Sequence, residues 1–131
     1  EHLLASGVIS HFPQVIAIQA SGCAPFFETV EKQLDHLAEI TPVPTLAEGI
    51  AIGKPARAEE IMDMIKRHDI RVVTAPEEEI LPARRKLAAR GIYAEHTTAA
   101  ALAAYEQYCK IYGHTPDSLL SMCGAGIKSD H

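Results

Sequence analysis

The sequence predicts an α/β fold: a three-layer, mainly parallel sheet with flanking helices. Two observations carry that expectation. Short β-branched runs end at Gly or Pro, and stretches of helix length with one apolar side separate them. Strands joined by such helices pair in parallel, because the connection has to cross back over the sheet. The first two runs are almost continuously apolar, as expected of strands covered on both faces.

In chain order, residues 1–5 open in a helical pattern without an initiating Met, as expected of a piece of a longer protein. Gln14-Val-Ile-Ala-Ile-Gln-Ala20 follows Pro13, stops at Ser21-Gly22, and is the first expected strand. Phe26, Phe27, Val30, Leu34 and Leu37 then recur at helix spacing, with Glu28, Glu31 and Lys32 on the other side. Thr41 to Pro55 is too broken by Pro and Gly for a regular element, and long irregular connections of this kind are often functional. Ile61, Met62 and Ile65, with Glu59, Asp63 and Lys66 opposite, predict a second helix. Ile70-Arg-Val-Val-Thr-Ala75 is the second strand, ended by Pro76. Ile80, Leu81, Arg84, Leu87 and Ala88 give a third helix with an acidic start at Glu77–Glu79 and a stop at Gly91. Thr97 to Tyr112 form an Ala-rich helix with Gly113 as its stop and Thr97 as an N-cap candidate. Ser118-Leu-Leu-Ser-Met-Cys123 is the third expected strand, stopped by Gly124. Together residues 1–131 are expected to form a single partial domain.

With 131 residues, 47% of them apolar, the chain has ordinary globular composition. A net charge of −5 argues against nucleic acid as a partner, since phosphate contacts need clustered Lys and Arg. The one basic cluster, Arg84–Lys86, follows three glutamates and reads as a solvated face. No apolar run reaches the length of a membrane span. The three cysteines, Cys23, Cys109 and Cys123, are odd in number and far apart, which fits reduced thiols in the cytoplasm. The seven histidines, at positions 2, 11, 36, 68, 96, 114 and 131, show no metal-ligand spacing, so no metal site is expected.

Three segments could carry chemistry. Gly22–Phe26 turns from strand to helix, where anions often bind, yet lacks the GxGxxG or P-loop pattern. Cys123-Gly-Ala-Gly126 permits a turn and a close backbone approach. Glu95-His-Thr-Thr-Ala-Ala-Ala101 opens a helix of tiny side chains that another surface or a flat ligand could approach. Glu95 can either bond nearby backbone amides or face a ligand, and both readings stand.

Five segments, in this order, resemble the C-terminal half of the fold-type II pyridoxal-phosphate (PLP) enzymes, the tryptophan synthase β-like superfamily. Val15-Ile-Ala-Ile-Gln-Ala20 with Ser21–Phe26 resembles a strand and turn of the large domain. Thr45-Leu-Ala-Glu-Gly-Ile-Ala-Ile-Gly-Lys-Pro55 resembles the T-[IL]-A-[DE]-G-I-A-[VI] signature of threonine synthases and threonine/serine dehydratases. Val72-Val-Thr-Ala-Pro-Glu-Glu-Glu-Ile80 resembles their acid-started helix after a strand. Gly91-Ile-Tyr-Ala-Glu-His-Thr-Thr-Ala-Ala100 is similar to the family's G-[IL]-x-x-E-P-[TS]-[SG]-A-A helix entry, with His96 in place of Pro. Met122-Cys-Gly-Ala-Gly-Ile-Lys128 resembles the threonine synthase ending.

The resemblance implies PLP as cofactor, a small amino-acid substrate, and α-proton abstraction followed by elimination or replacement, threonine synthase-like in the first place. A Ser/Thr dehydratase or a 2,3-diaminopropionate ammonia-lyase is the alternative within enzymes; a non-catalytic α/β binding or dimerisation module is the alternative outside them. It also implies that Cys123 stands where the family places a Ser or Thr against the pyridine nitrogen. Glu95, Thr97 and Gly124 are implied at the cofactor's edge. The family's Schiff-base lysine and Gly-rich phosphate cradle lie upstream of the matching segments, so no catalytic residue is expected here. The expected partners are the N-terminal half of the same enzyme and a second copy of the chain.

Overall fold

A computed structural model describes residues 1–128; His131, counted among the histidines above, lies outside the described residues. A short helix α1 (His2–Ala5) precedes strand β1 (Ile16–Ala20) and helix α2 (Pro25–Glu31). The Pro/Gly-rich loop follows, holding only a 3-10 turn at Glu48–Ile50. Helix α3 (Ala58–Arg67), strand β2 (Arg71–Ala75) and helices α4 (Glu77–Ala88) and α5 (His96–Tyr112) complete the body. A last 3-10 turn spans Gly126–Lys128.

β1 and β2 pair in parallel, with Ile16 opposite Arg71 and Ala20 opposite Ala75. Alternation along the strands decides what each face meets. Ile16, Ile18, Ala20, Val73 and Ala75 face one core with Ile80, Ala83 and Leu87 of α4 and Ala99, Ala100, Ala103 and Ala104 of α5. Ala17 and Val72 turn the other way, to Phe26, Met62 and Ile65 of α2 and α3. The predicted three layers are therefore present: α2 and α3, the sheet, then α4 and α5. Small residues set how near the layers come, since α5 puts four fully or almost fully buried alanines against its neighbours.

Local chemistry explains the helix limits. Pro25 starts α2, where its missing N–H costs no helical bond. The chain leaves α2 through Gln33 at φ 52° and α3 through Asp69 at φ 49°, both left-handed. Glu59 and Glu60 begin α3 and Lys66 and Arg67 end it, each sign at the dipole end that favours it. Gly113, at φ 86°, ends α5 as expected.

Two expectations are corrected. Residues 118–123 form no strand; the tail makes one antiparallel bridge, Ala125 with Ala94. The apolar run had suggested a buried ladder, but Leu119 is fully exposed, and the described sheet offers this segment neither a neighbouring strand nor a core to face. Thr97 is not the N-cap of α5. Glu95 holds that position, without a side-chain cap bond, and Thr97 sits inside the first turn.

Candidate cofactor-side site

Three separate segments converge where α5 begins. The tail arrives through Gly124, whose N–H donates to Thr98 Oγ1 at 2.9 Å while its carbonyl accepts from the same hydroxyl at 3.2 Å. The Gly124 carbonyl also accepts the Glu95 N–H at 3.1 Å, and Gly126 N–H donates to the Tyr93 carbonyl at 2.9 Å. Thr98 is buried, so its hydroxyl ties the tail to the helix out of water, where a hydrogen bond is hard to replace.

The Pro/Gly-rich loop arrives from the other side. Gly49 N–H donates to Thr97 Oγ1 at 3.2 Å. The loop is anchored further back by Glu77, the first residue of α4. Thr45 Oγ1 donates to Glu77 Oε2 at 2.5 Å and Leu46 N–H to Oε1 at 2.7 Å. Its outer part rests on the turn after β1, with Val43 N–H bonded to the Gly22 carbonyl at 2.8 Å.

A Cβ at either of these meeting points would have to displace a neighbouring side chain. A Cβ on Gly124 would lie 1.7 Å from Glu95 Oε1 and 2.5 Å from its Cγ, and one on Gly49 would lie 2.9 Å from Thr97 Oγ1. The Glu95 side chain therefore folds over the tail backbone at Gly124. It caps no helical amide, which removes the cap form of the backbone-bonded reading.

The four residues implied at the cofactor edge divide in two. Glu95, Thr97 and Gly124 gather at the start of α5. Cys123 adjoins them in the chain, but its thiol is exposed and bonds none of the described residues. Thr98 is the residue holding the arrangement, although the motif gives no reason to rank it above Thr97. Glu77 had read only as a helix-starting acid, because its partners lie 31 and 32 residues earlier in the chain.

The groups whose titration is shifted lie elsewhere. Burial pushes the Cys23 thiol up, under the loop near Gly53. Arg57 lowers the Glu60 carboxyl on α3, and His36 lowers that of Asp35. Lys54 lines a cleft of about 510 Å³ with Leu37–Thr41 and Gly53. Among the described residues, no three His, Cys, Asp or Glu gather as a metal set, and no helix is long and apolar enough to cross a membrane.

A strand-helix body whose broken loop and tail meet at the entry of an Ala-rich helix defines a class as well as a shape. Residues 3–124 match the family model described as pyridoxal-phosphate dependent enzyme. The chain belongs to that family, whose cofactor is PLP. A threonine synthase of Methanocaldococcus jannaschii is 30% identical over 99 residues, covering 75% of this chain and 24% of that protein. The crystal structure of a threonine deaminase from T.th. superposes with a TM-score of 0.62 at 20% identity, over 82% of this chain and 38% of that one. That likeness confirms the tryptophan synthase β-like fold. The chain spans about a quarter of the length of the curated relative and well under half of the solved one.

The residue types gathered here are chemically compatible with one edge of such a cofactor. Thr98 is engaged with Gly124 as both donor and acceptor, and Thr97 accepts from Gly49. Among the described residues at this corner, the Cys123 thiol is exposed and the Glu95 side chain lies over the tail backbone, where a ligand's polar edge could meet them.

Proposed function

We propose that the chain is the C-terminal part of the catalytic domain of a PLP-dependent lyase or synthase acting on a small amino acid, threonine synthase-like. One observation carries this reading: the signature loop, the α5 entry and the glycine tail, far apart in sequence, share one corner through Thr97, Thr98 and Gly124. The relative at 30% identity supports the threonine synthase branch, while the threonine deaminase likeness bears on the fold alone.

When bound, PLP accepts the electrons released as an amino acid loses its α-proton. This chain's residues then hold one side of the ring. Cys123 would offer its S–H to the pyridine nitrogen, a weaker donor than the hydroxyl of a Ser or Thr. Glu95, kept over the tail by its fit against Gly124, would stand at the ring edge. Thr97 and Gly124 fix the wall behind it. The residue that would carry the cofactor covalently belongs to the upstream half, so the chain alone is inactive in this reading. Its three free cysteines suit the cytoplasm.

The N-terminal half of the enzyme is the proposed partner along β1, with a homodimer as the assembled form. Arg71 N–H donates to the Val15 carbonyl and Ser21 N–H to that of Ala75. In a parallel pair, alternate residues share the bonding, so Ile16 and Ile18 turn their N–H and C=O to the open edge. A cleft of about 460 Å³ lined by Val15, Ala17, Ile61, Met64 and Ile65 runs beside that edge. Two strands of five residues make a sheet of marginal stability until further strands join it.

The test is reconstitution. The 131-residue chain is mixed with the upstream half of the enzyme and PLP, then assayed on hydroxy-, phospho- and amino-substituted amino acids. The reading expects activity from the mixture and none from the chain by itself. Turnover by the chain alone, or a monomer at high concentration that ignores the upstream half, would overturn it.

A further inference from the structure

We propose that Glu77 is a positioning residue whose carboxylate sets the signature loop in register with the start of α5. This extends the proposed function and rests on it only in taking the α5 entry as the cofactor's side.

Three glutamates open α4, and acids there are ordinary, since they suit the helix dipole. Their side chains do different things. Glu79 faces Lys110 at 4.0 Å across the helix pair. Glu77, half-buried, commits both oxygens to the loop: Oε2 accepts from Thr45 Oγ1 at 2.5 Å and Oε1 from Leu46 N–H at 2.7 Å. Thr45 Oγ1 in turn accepts the Ala47 N–H at 3.1 Å, so one carboxylate fixes three consecutive residues. Ala47 is fully buried in the core shared by α4, α5 and the sheet.

From that fixed point the chain has little freedom. Ile50 N–H closes on the Ala47 carbonyl at 3.1 Å, forming the turn that aims the Gly49 N–H at Thr97 Oγ1. Thr97 is in the first turn of α5, next to Thr98 and the Gly124 tail. Glu77 thus acts on the site through Thr45, Ala47 and Gly49 without standing in it. Neither near-isostere preserves the link. Gln keeps one acceptor and puts a donor where the other acceptor was, and Asp is one methylene short.

Amide hydrogen exchange, read residue by residue by NMR on the 131-residue chain, tests the inference. In Glu77→Gln, Leu46 and Gly49 should exchange about tenfold faster or more, the effect of losing a hydrogen bond to a charged group. Val73 in β2 should keep its rate. Thr45→Val leaves Glu77 in place and should speed Gly49 by a similar factor, with the double variant no faster than the greater single one. An unchanged Gly49, or a uniform rise that includes Val73, overturns the positioning role. Added PLP, with the upstream half present, reads the other reading separately. Shifts at the Gly49 and Gly124 amides that weaken in Glu77→Gln support the link between clamp and site. No shift in the unaltered chain mixed with the upstream half counts against the cofactor reading alone, while the exchange rates still decide on Glu77.

Discussion

The two ends of the molecule are held together by different means. At the α5 end, loop and tail are fixed by hydrogen bonds from part-buried or buried groups, Thr98 and Glu77 above all, and by glycines that leave no space for a Cβ. At the α3 end, the visible ties are polar contacts near the surface: the ion pairs of Arg57 with Glu60, Arg67 with Asp63 and Arg67 with Glu1, and the hydrogen bond of Glu1 with His68. Exposed pairs of that kind contribute little, because water and salt screen them. One end is specified atom by atom, and the other is packed and solvated, with wide tolerance for change.

The largest expected effect lies in the core beneath both ends. Ile80 is wholly buried between the sheet and α5, and Ile80→Ala should destabilise the chain by about 2–5 kcal/mol in denaturant unfolding. A loss under ~1 kcal/mol would mean the layers are not closed as described. Next is Thr98→Val, which keeps the shape and removes both bonds to Gly124. The expected cost is about 1–3 kcal/mol, with the tail, residues 122–126, more exposed to protease than β2. If the tail stays protected in that variant, Thr98 is not its tether. Gly124→Ala tests the same corner by volume. Its Cβ has to expel the whole Glu95 side chain, which is half-buried and can swing outward. Stability should fall by less than in Thr98→Val while Glu95 leaves its place, visible as shifted side-chain resonances of Glu95.

The cysteines sharpen the comparison without altering the fold. Cys123 is exposed, Cys109 half-buried, and Cys23 buried with its thiol pushed up by desolvation. Thiolates react and thiols do not, so a limiting alkylating agent at neutral pH should label Cys123 first and Cys23 last. Mass mapping of the labelled peptides checks the order; early labelling of Cys23 would mean the loop over it opens readily.

Much of this was legible in the sequence, for physical reasons. Short, β-branched, near-continuous apolar runs at 15–20 and 70–75, bounded by Gly and Pro, fit strands covered on both sides, and both exist within a residue or two. The Ala-rich helix and its Gly113 stop were also readable, because small side chains and a left-handed glycine act locally. The run at 118–123 shows the limit. A strand is completed by its neighbour, and apolar content says nothing about whether a neighbour is there. The site divides along the same line. Glu95, Thr97 and Gly124 could be named from motif order. The Glu77 clamp joins residues more than thirty apart, and the Thr98–Gly124 tie joins residues 26 apart, so neither leaves a local pattern.

The smallest effect belongs to the tolerant end. His68 bonds the Glu1 carboxylate at 2.8 Å, and Arg67 adds a second contact at 3.1 Å. The His68 bond first, then the Arg67 charge, hold the Glu1 carboxyl below the usual carboxylate range. His68 in turn stacks on Phe12 with ring centroids 4.3 Å apart, so Glu1 helps to dock residues 1–12 on the end of α3. A carboxyl whose folded-state pKa is depressed adds stability above its unfolded value, about 4.3, and loses it as pH falls through the folded value. Acidification below that point should therefore loosen residues 1–12 while the sheet stays intact. Asp35 and Glu60, also lowered by their partners, titrate in the same range, so the measurement is a difference. The Phe12 and His68 ring signals are followed from about pH 6 to pH 3, the range that brackets carboxylate titration, in the unaltered chain and in Glu1→Gln. The variant should show residues 1–12 already loosened at the upper pH and a flatter response to acid. An identical response in both would mean that packing of Phe12 on His68, with no help from Glu1, holds the segment down.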